Sequence, residues 1–223
     1  MLLDKASRKI AQYNRSCLHY NLAADAIYSE LRRLKAPFSP AYEPFLVAAL
    51  ISFDIGRMMG AGIVQRYDPS AGGFATRLHA KLQQVQPALL PVIDTDVLKA
   101  NLTAVSPAIM DAYEILAAPG QGGLHEQGND FHVGATKLLH FLNPEMFLII
   151  DRNTARALQA AFGIAYRNTT QPGYSSKLYV QSLTAVRDMI KEYGARKLRS
   201  LEAGTPLMRV FDKVAFAYSA FGT

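Results

Sequence analysis

A chain of 223 residues with 50% hydrophobic residues is long enough to bury one sizeable core. The single cysteine, Cys17, excludes an intrachain disulfide framework and fits a reducing compartment. No apolar run reaches the ~18 residues that could span a bilayer, and the first residues lack the apolar core of a signal peptide. These features predict a cytoplasmic protein without a membrane partner.

The net charge of +6 is unevenly distributed along the chain. Residues 1–136 contain 12 basic and 12 acidic residues, whereas residues 137–223 contain 12 basic and 6 acidic residues. This asymmetry indicates a surface for a polyanion, most simply nucleic acid. A basic surface that serves only solubility is the alternative that charge alone leaves open.

Helical periodicity dominates the first half of the chain. The predicted helices lie at about residues 7–35, 40–60, 78–87, 96–105 and 107–118. Ser39-Pro40 and Ser106-Pro107 each have the signature of a helix N-cap followed by proline at the first helical position. The glycines between residues 60 and 73 predict a loop.

The second half continues in the same way after a loop at residues 119–130. The predicted elements are a short helix before the Asn143-Pro144 turn, an apolar run at 146–150 that could form a short strand, a helix from Asp151 to Gly163, a polar stretch at 167–176, an amphipathic helix over 179–193 that Gly194 ends, and a helix after Thr205-Pro206. We therefore predict an all-α fold, a compact multi-helix domain over residues 1–223, with lobes at 1–118 and 119–223.

Asp151 is the residue whose position is most informative. It follows the five apolar residues Met146–Ile150 and precedes a helix that contains Arg152 and Arg156. Aspartate at such a position is a preferred helix N-cap, which is a purely structural role. A carboxylate fixed there could also face a positively charged reaction centre, and both interpretations remain open.

The segment before Asp151 carries a resemblance to a known family. The residues Lys137-Leu138-Leu139-His140-Phe141-Leu142-Asn143-Pro144, followed by Asp151, resemble the core of the helix-hairpin-helix DNA glycosylase superfamily. The pattern is most similar to small bacterial proteins with an 8-oxoguanine-glycosylase-like fold. The resemblance implies a helix-hairpin-helix element with Gly134 in its turn.

The resemblance also implies a function. It implies a DNA glycosylase that removes a damaged or modified base from double-stranded DNA, in repair or in defence against phage DNA, without a cofactor. Asp151 would stabilise the positive charge that develops on the sugar, or activate water. Lys137 is the candidate for an amine that attacks the sugar, and a solvated or phosphate-contacting lysine is the alternative.

Two further groups of residues follow from the same resemblance. The DNA backbone would be bound by the hairpin and the basic helix, through Gly134, Thr136, Lys137, Arg152 and Arg156. The target base must leave the stack, so a pocket is expected, and its candidates are Phe131, His132 and Tyr166. For such aromatic rings a place in the hydrophobic core is the alternative.

The remaining polar residues suggest structural roles. His125, His132 and His140 with Glu126 and Asp130 lack the His-Glu-x-x-His spacing, and the chain has no cysteine pair, so no metal site is predicted. The pairs Asp54–Arg57 and Arg209–Asp212 have i,i+3 spacing within apolar segments, and we interpret both as partly buried ion pairs rather than as second catalytic carboxylates.

Two alternatives to a glycosylase remain. A non-catalytic helical protein could bind nucleic acid, or act in phage defence through interactions, on the same scaffold. A helical enzyme that acts on small molecules is the third class, and DNA binding without salt dependence would favour it.

Overall fold

The structure is a computed structural model that describes residues 2–54, 73–119, 123–124, 131–166 and 175–222. These residues form ten helices and no strand, which confirms the predicted all-α class. No helix among them is long and apolar enough to cross a bilayer. The helices are α1 (Ala6–Ser16), α2 (Leu18–Leu34), α3 (Glu43–Asp54), α4 (Phe74–Leu89), α5 (Leu102–Ala117), α6 (His132–Leu142), α7 (Arg152–Phe162), α8 (Ser176–Tyr193), α9 (Ala195–Ser200) and α10 (Leu207–Phe221).

The predicted single helix over residues 7–35 is two helices. The break lies at Cys17, whose φ of −125° and ψ of 36° leave the helical region. Neither proline nor glycine marks this position in the sequence. We attribute the break to tertiary packing. Helix α1 packs against α10, whereas α2 packs against α3, and one straight helix could not serve both partners.

The Ser39-Pro40 signature does not start a helix. The Ser39 hydroxyl donates a hydrogen bond to the Ala36 carbonyl at 2.9 Å, and α3 begins only at Glu43. Between them the chain forms turns that bury Tyr42, whose hydroxyl donates to the carbonyl of Phe141 at 3.1 Å. This buried contact outweighs the local cap signature.

The predicted helices over 96–105 and 107–118 are one helix, which starts at Leu102. Asn101 is the N-cap of α5, since its side-chain oxygen accepts a hydrogen bond from the Ala104 amide at 3.3 Å. Asp96 instead holds a turn by accepting from the amides of Leu98 and Lys99. Ser106 and Pro107 consequently lie inside α5.

Predictions for the second half of the chain are largely confirmed. Asp151 is the N-cap of α7, and Gly163 ends this helix with a φ of +66°, a conformation that favours glycine. Helix α8 buries Tyr179, Leu183, Val186 and Ile190 and ends at Gly194, and Pro206 precedes α10 as expected. The predicted 60–73 loop falls almost entirely outside the described residues, as do most of the polar 167–176 stretch and the Asp54–Arg57 ion pair.

The run Met146–Ile150 is buried, but it does not form the predicted short strand: Met146 lies in a turn, and the residues after it have no regular secondary structure. Three polar backbone groups of the run bond to side chains of α6 and α8, and these groups therefore need no strand partner. The ring Nδ1 of His140 donates to the Phe147 carbonyl at 2.7 Å, and the Tyr179 hydroxyl donates to the Leu148 carbonyl at 3.1 Å. The amide of Ile150 donates to Oγ1 of Thr136 at 3.1 Å. These bonds fix the backbone immediately before Asp151.

Helix α10 connects the two halves of the chain. It packs against α1 near the start of the chain and against α7 and α9 of the second half. A single cluster of buried hydrophobic residues extends from Leu2 to Ala215 and includes members of both predicted lobes. Helix α7, which Asp151 caps, is therefore held by α10, which itself packs against α1.

Candidate active site around Asp151

Asp151 is half-buried, and its two carboxylate oxygens have different surroundings. Oδ1 accepts hydrogen bonds from the amides of Asn153 and Thr154, each at 2.8 Å. These bonds satisfy two of the free amides in the first turn of α7. Oδ2 accepts no hydrogen bond from the residues that the structure describes. The carboxylate is thus anchored through one oxygen, with the other available.

A buried ion pair lies beside this cap. Arg209 and Asp212 of α10 are 1% and 5% exposed, and Nη1 of Arg209 donates to Oδ2 of Asp212. The prediction of an ion pair at these positions is confirmed. Nη2 of Arg209 donates to the Tyr13 hydroxyl at 2.8 Å, and the guanidinium lies 5.1 Å from the ring centroids of Tyr13 and Phe53.

Thr154 connects the ion pair with Asp151. Its hydroxyl donates to Oδ1 of Asp212 at 3.3 Å, while its amide donates to Oδ1 of Asp151. Thr154 is fully buried. One residue in the first turn of α7 therefore bonds to two carboxylates, one on α10 and one at its own helix cap.

The electrostatics of Asp212 differ from those of an ordinary surface aspartate. Burial raises its pKa to about 6, against the opposing effect of Arg209, and the nearby negative charge of Asp151 also raises it. The two carboxylates therefore interact electrostatically as well as through Thr154.

Lys137 is linked to Asp151 through the residues that precede them in the chain. The hydrogen bond between Thr136 and Ile150 joins the residues that immediately precede Lys137 and Asp151. Lys137 is only 6% exposed, and its Nζ donates to the carbonyl of Phe53 at 3.1 Å. The hydrogen bond thus joins the residues before Lys137 and Asp151, whereas the lysine amine itself is bonded to Phe53 of α3.

Gly134 and Thr136 are part of the helix packing. Gly134 is the third residue of α6, and a Cβ at this position would lie 2.1 Å from ring atoms of Phe131. Gly134 therefore lies in a helix and not in the hairpin turn that the resemblance implied, and the close approach that it permits is made by the Phe131 ring. Thr136 is fully buried, and its hydroxyl also donates to the Val133 carbonyl, so burial removes Thr136 from a DNA-contacting surface.

Arg152 and Arg156 lie on the exposed side of α7, one helical turn apart. Neither forms an ion pair with a residue that the structure describes. Two cations at this spacing project from the same helix face, and they follow directly after the Asp151 cap. This is the part of the predicted DNA surface that the structure leaves exposed.

The predicted pocket residues pack within the fold. Phe131 is buried against the Phe74 ring at 6.0 Å between centroids. His132 is half-buried and stacks on Tyr113, whose hydroxyl lies 3.1 Å from its Nδ1. The Tyr166 hydroxyl lies 2.6 Å from Oγ of Ser182 on α8. Their assignment to a base pocket stays a prediction.

One cavity in the described structure has a volume of about 610 Å³ and lies away from Asp151. It is formed by the end of α7, α8 and α10, and its lining includes Leu2, Phe162, Asp188, Met189, Glu192 and Tyr218. None of the predicted site residues contributes to it.

His140 has a structural role. His140 is fully buried and bonded to Phe147 and Tyr28. No group of three potential metal ligands occurs among the described residues. His125, Glu126 and Asp130, which the metal hypothesis also involved, lie outside them.

Sequence reasoning did not connect Thr154, Asp212 and Tyr13 with Asp151. Thr154 carries a local signal, because the residue three positions after an N-cap presents its amide to the cap. Asp212 and Tyr13 carry none, because they join the site only through the packing of α10 against α1 and α7.

Comparison with protein-family models, with curated proteins and with solved structures finds no match to this chain.

Proposed function

We propose that this protein is a DNA glycosylase in which Asp151 is the catalytic carboxylate. The observation that carries the proposal is the asymmetry of Asp151, with Oδ1 fixed by two amides and Oδ2 without a hydrogen-bond partner among the described residues. A preorganised carboxylate of this kind stabilises a developing positive charge without having to reorient.

The proposed reaction is hydrolysis of the N-glycosidic bond. The C1′–N bond breaks and its electron pair leaves with the base, so that positive charge develops on the sugar. Oδ2 of Asp151 stabilises this charge and accepts a proton from the attacking water, whose oxygen bonds to C1′. The proton then passes to the departing base, and the products are the free base and an abasic site.

Lys137 is not the nucleophile in this proposal. Its amine donates to the Phe53 carbonyl, so attack on the sugar would first require that bond to break and the ammonium to lose a proton. We therefore expect abasic sites without strand cleavage.

The proposed substrate is double-stranded DNA with a damaged or modified base, including modified phage DNA. Arg152 and Arg156 would contact phosphates beside the target nucleotide, because both are exposed on the helix that Asp151 begins. We place the activity in the cytoplasm, where the buried free thiol of Cys17 would stay reduced.

The test is base release by the wild-type protein and by Asp151→Asn. Asparagine can still cap the helix, because its side-chain oxygen accepts the same amide hydrogen bonds, but it has no negative charge. On a panel of modified-base duplexes we expect Asp151→Asn to lower the rate of base release by about 10²–10³-fold, with DNA affinity and unfolding free energy almost unchanged.

A non-catalytic nucleic-acid-binding protein is the second candidate. The observation that favours it is that the bonds of Asp151 are those of an ordinary N-cap. If no duplex in the panel loses a base while DNA is still bound, this candidate replaces the glycosylase. Charge reversal at Arg152 or Arg156 would then impair binding, and Asp151→Asn would not.

A further inference from the structure

The Arg209–Asp212 pair calls for an explanation beyond stability. Both side chains are nearly inaccessible to solvent, and Nε of Arg209 is buried with no hydrogen-bond partner among the residues that the structure describes. Removing two charges from water is unfavourable, and apolar side chains of similar size often stabilise a core equally well. A contribution to stability alone therefore does not explain why this buried ion pair is present.

The bonds of Asp212 point to what the pair does. Oδ2 is bound by Arg209, which also bonds to Tyr13 of α1 and lies over its ring. Oδ1 is therefore held at a fixed place, where it accepts the Thr154 hydroxyl at 3.3 Å. Because few χ1 rotamers are open to a β-branched residue, this hydrogen bond ties the Thr154 backbone to α10.

The amide of Thr154 is one of the two that hold Asp151. Movement of Thr154 would lengthen that bond and allow the carboxylate to turn. Asp151 and Asp212 also repel each other, and this repulsion would turn Asp151 away if the first turn of α7 were loose.

We propose that Asp212 is a positioning residue for Asp151, which it holds in place through the Thr154 hydroxyl, with Arg209 and Tyr13 fixing Asp212 in turn. This inference rests on the proposed glycosylase function. It adds a carboxylate from α10 that does not touch the substrate but determines where Oδ2 of Asp151 points.

The decisive variant is Thr154→Val, which removes the hydroxyl, keeps the side-chain shape and leaves the Arg209–Asp212 pair intact. We expect kcat for base release to fall about 10- to 100-fold with little change in KM, because misplacement of a reacting group lowers the rate of the chemical step. Thr154→Ser should restore most of the rate, since it keeps the hydroxyl.

Thr184→Val is the matched control. Thr184 lies on α8, and its hydroxyl donates to the carbonyl of Val180 at 3.0 Å, so this variant also removes a threonine hydroxyl that is bonded within the fold. It should leave kcat unchanged. In an Asp151→Asn background, Thr154→Val should lower the rate no further, whereas a role through general stability would produce an additional loss.

A second measurement separates this inference from the proposed function. Amide hydrogen exchange at Asn153 and Thr154 reports the cap directly, and it should accelerate in Thr154→Val but not in Thr154→Ser or Thr184→Val. If base release occurs and Thr154→Val matches the wild type, the positioning role is wrong and the glycosylase stands. If no base is released, the glycosylase fails, and unchanged exchange would overturn the positioning role independently.

Discussion

At the scale of single residues, the hydrogen bonds and the burial of His140 determine the protonation state of its ring. A carbonyl oxygen can only accept a hydrogen bond, so Nδ1, which faces the Phe147 carbonyl, carries the proton. Nε2 is then the acceptor, and it accepts from the Tyr28 hydroxyl at 2.5 Å. Burial lowers the pKa of His140 to about 3, although the bond to Phe147 opposes this change. The imidazole is therefore neutral in the folded protein at neutral pH.

This depressed pKa predicts a pH-dependent loss of stability. Below pH 6.5 the unfolded chain binds a proton at His140 that the folded protein does not bind, so stability is full above pH 6.5 and falls as the pH approaches 3. Between pH 6 and 4 we expect the wild type to lose about 1.4 kcal/mol per pH unit more than His140→Gln. Urea unfolding across this range measures the difference.

Comparison with His140→Gln is necessary because Asp212 titrates in the opposite sense. Its pKa is raised from 3.8 to about 6, so it contributes stability at low pH that is lost as the pH rises through 6. Asp212 is present in both proteins and cancels in the difference. Parallel stability curves for the two proteins would show that His140 is not held neutral.

At the scale of secondary-structure elements, α6 has a close contact at its start. The Phe131 ring lies against the Cα of Gly134, where no side chain would fit. Alanine favours helix formation over glycine by about 1 kcal/mol, so propensity alone would predict that Gly134→Ala is stabilising.

We expect the opposite, because the new methyl group would displace the Phe131 ring from its contact with Phe74. Gly134→Ala should lower the unfolding free energy by about 1–3 kcal/mol. In a Phe131→Ala background the same substitution should become neutral or stabilising, and chemical denaturation of the four proteins gives this coupling.

Gly163→Ala provides the matched control for this cycle. A Cβ at Gly163 would meet nothing within 4 Å, but the φ of +66° strains alanine. Its loss of stability should be independent of Phe131. Equal effects of Gly134→Ala with and without the Phe131 ring would contradict the steric explanation.

The predictability of the elements depended on whether their ends are determined locally. Asp151 starts α7, and Gly163 and Gly194 end α7 and α8, through their own backbone and side-chain preferences, so both helices were predicted well. The Ser39 and Ser106 signatures are equally local but were overridden by the burial of Tyr42 and by the Asn101 cap. The break at Cys17 has no local cause and was not predictable.

The same distinction between local and tertiary causes applies to the candidate site. Asp151 was identified from its own neighbours, and the Arg209–Asp212 ion pair from its i,i+3 spacing. Their connection through Thr154 joins residues 58 positions apart in the chain, and no periodicity reports such a contact. It depends on how α10 packs against α7.

At the scale of the whole molecule, the excess of positive charge lies in residues 137–223. Arg152 and Arg156 are its exposed members on α7. For a protein that neutralises phosphates, the logarithm of the affinity falls linearly with the logarithm of salt concentration, with about 0.9 units of slope for each phosphate contact.

We therefore expect DNA affinity to decrease steeply with salt, and Arg156→Ala to reduce the slope by about 0.9. Arg33→Ala is the control, since Arg33 is an exposed arginine of the electrically neutral half, on α2. Fluorescence anisotropy with a labelled duplex at several salt concentrations measures both slopes. Equal slopes for the wild type and Arg156→Ala would remove Arg156 from the DNA surface.

The bond between Arg209 and the Tyr13 hydroxyl spans 196 positions of the chain. During translation Tyr13 leaves the ribosome long before Arg209, and Asp151 is made well before α10. A nascent chain would thus carry the carboxylate without the helix that orients it. On the proposed function, the order of synthesis would leave Asp151 without its positioning residue until α10 docks.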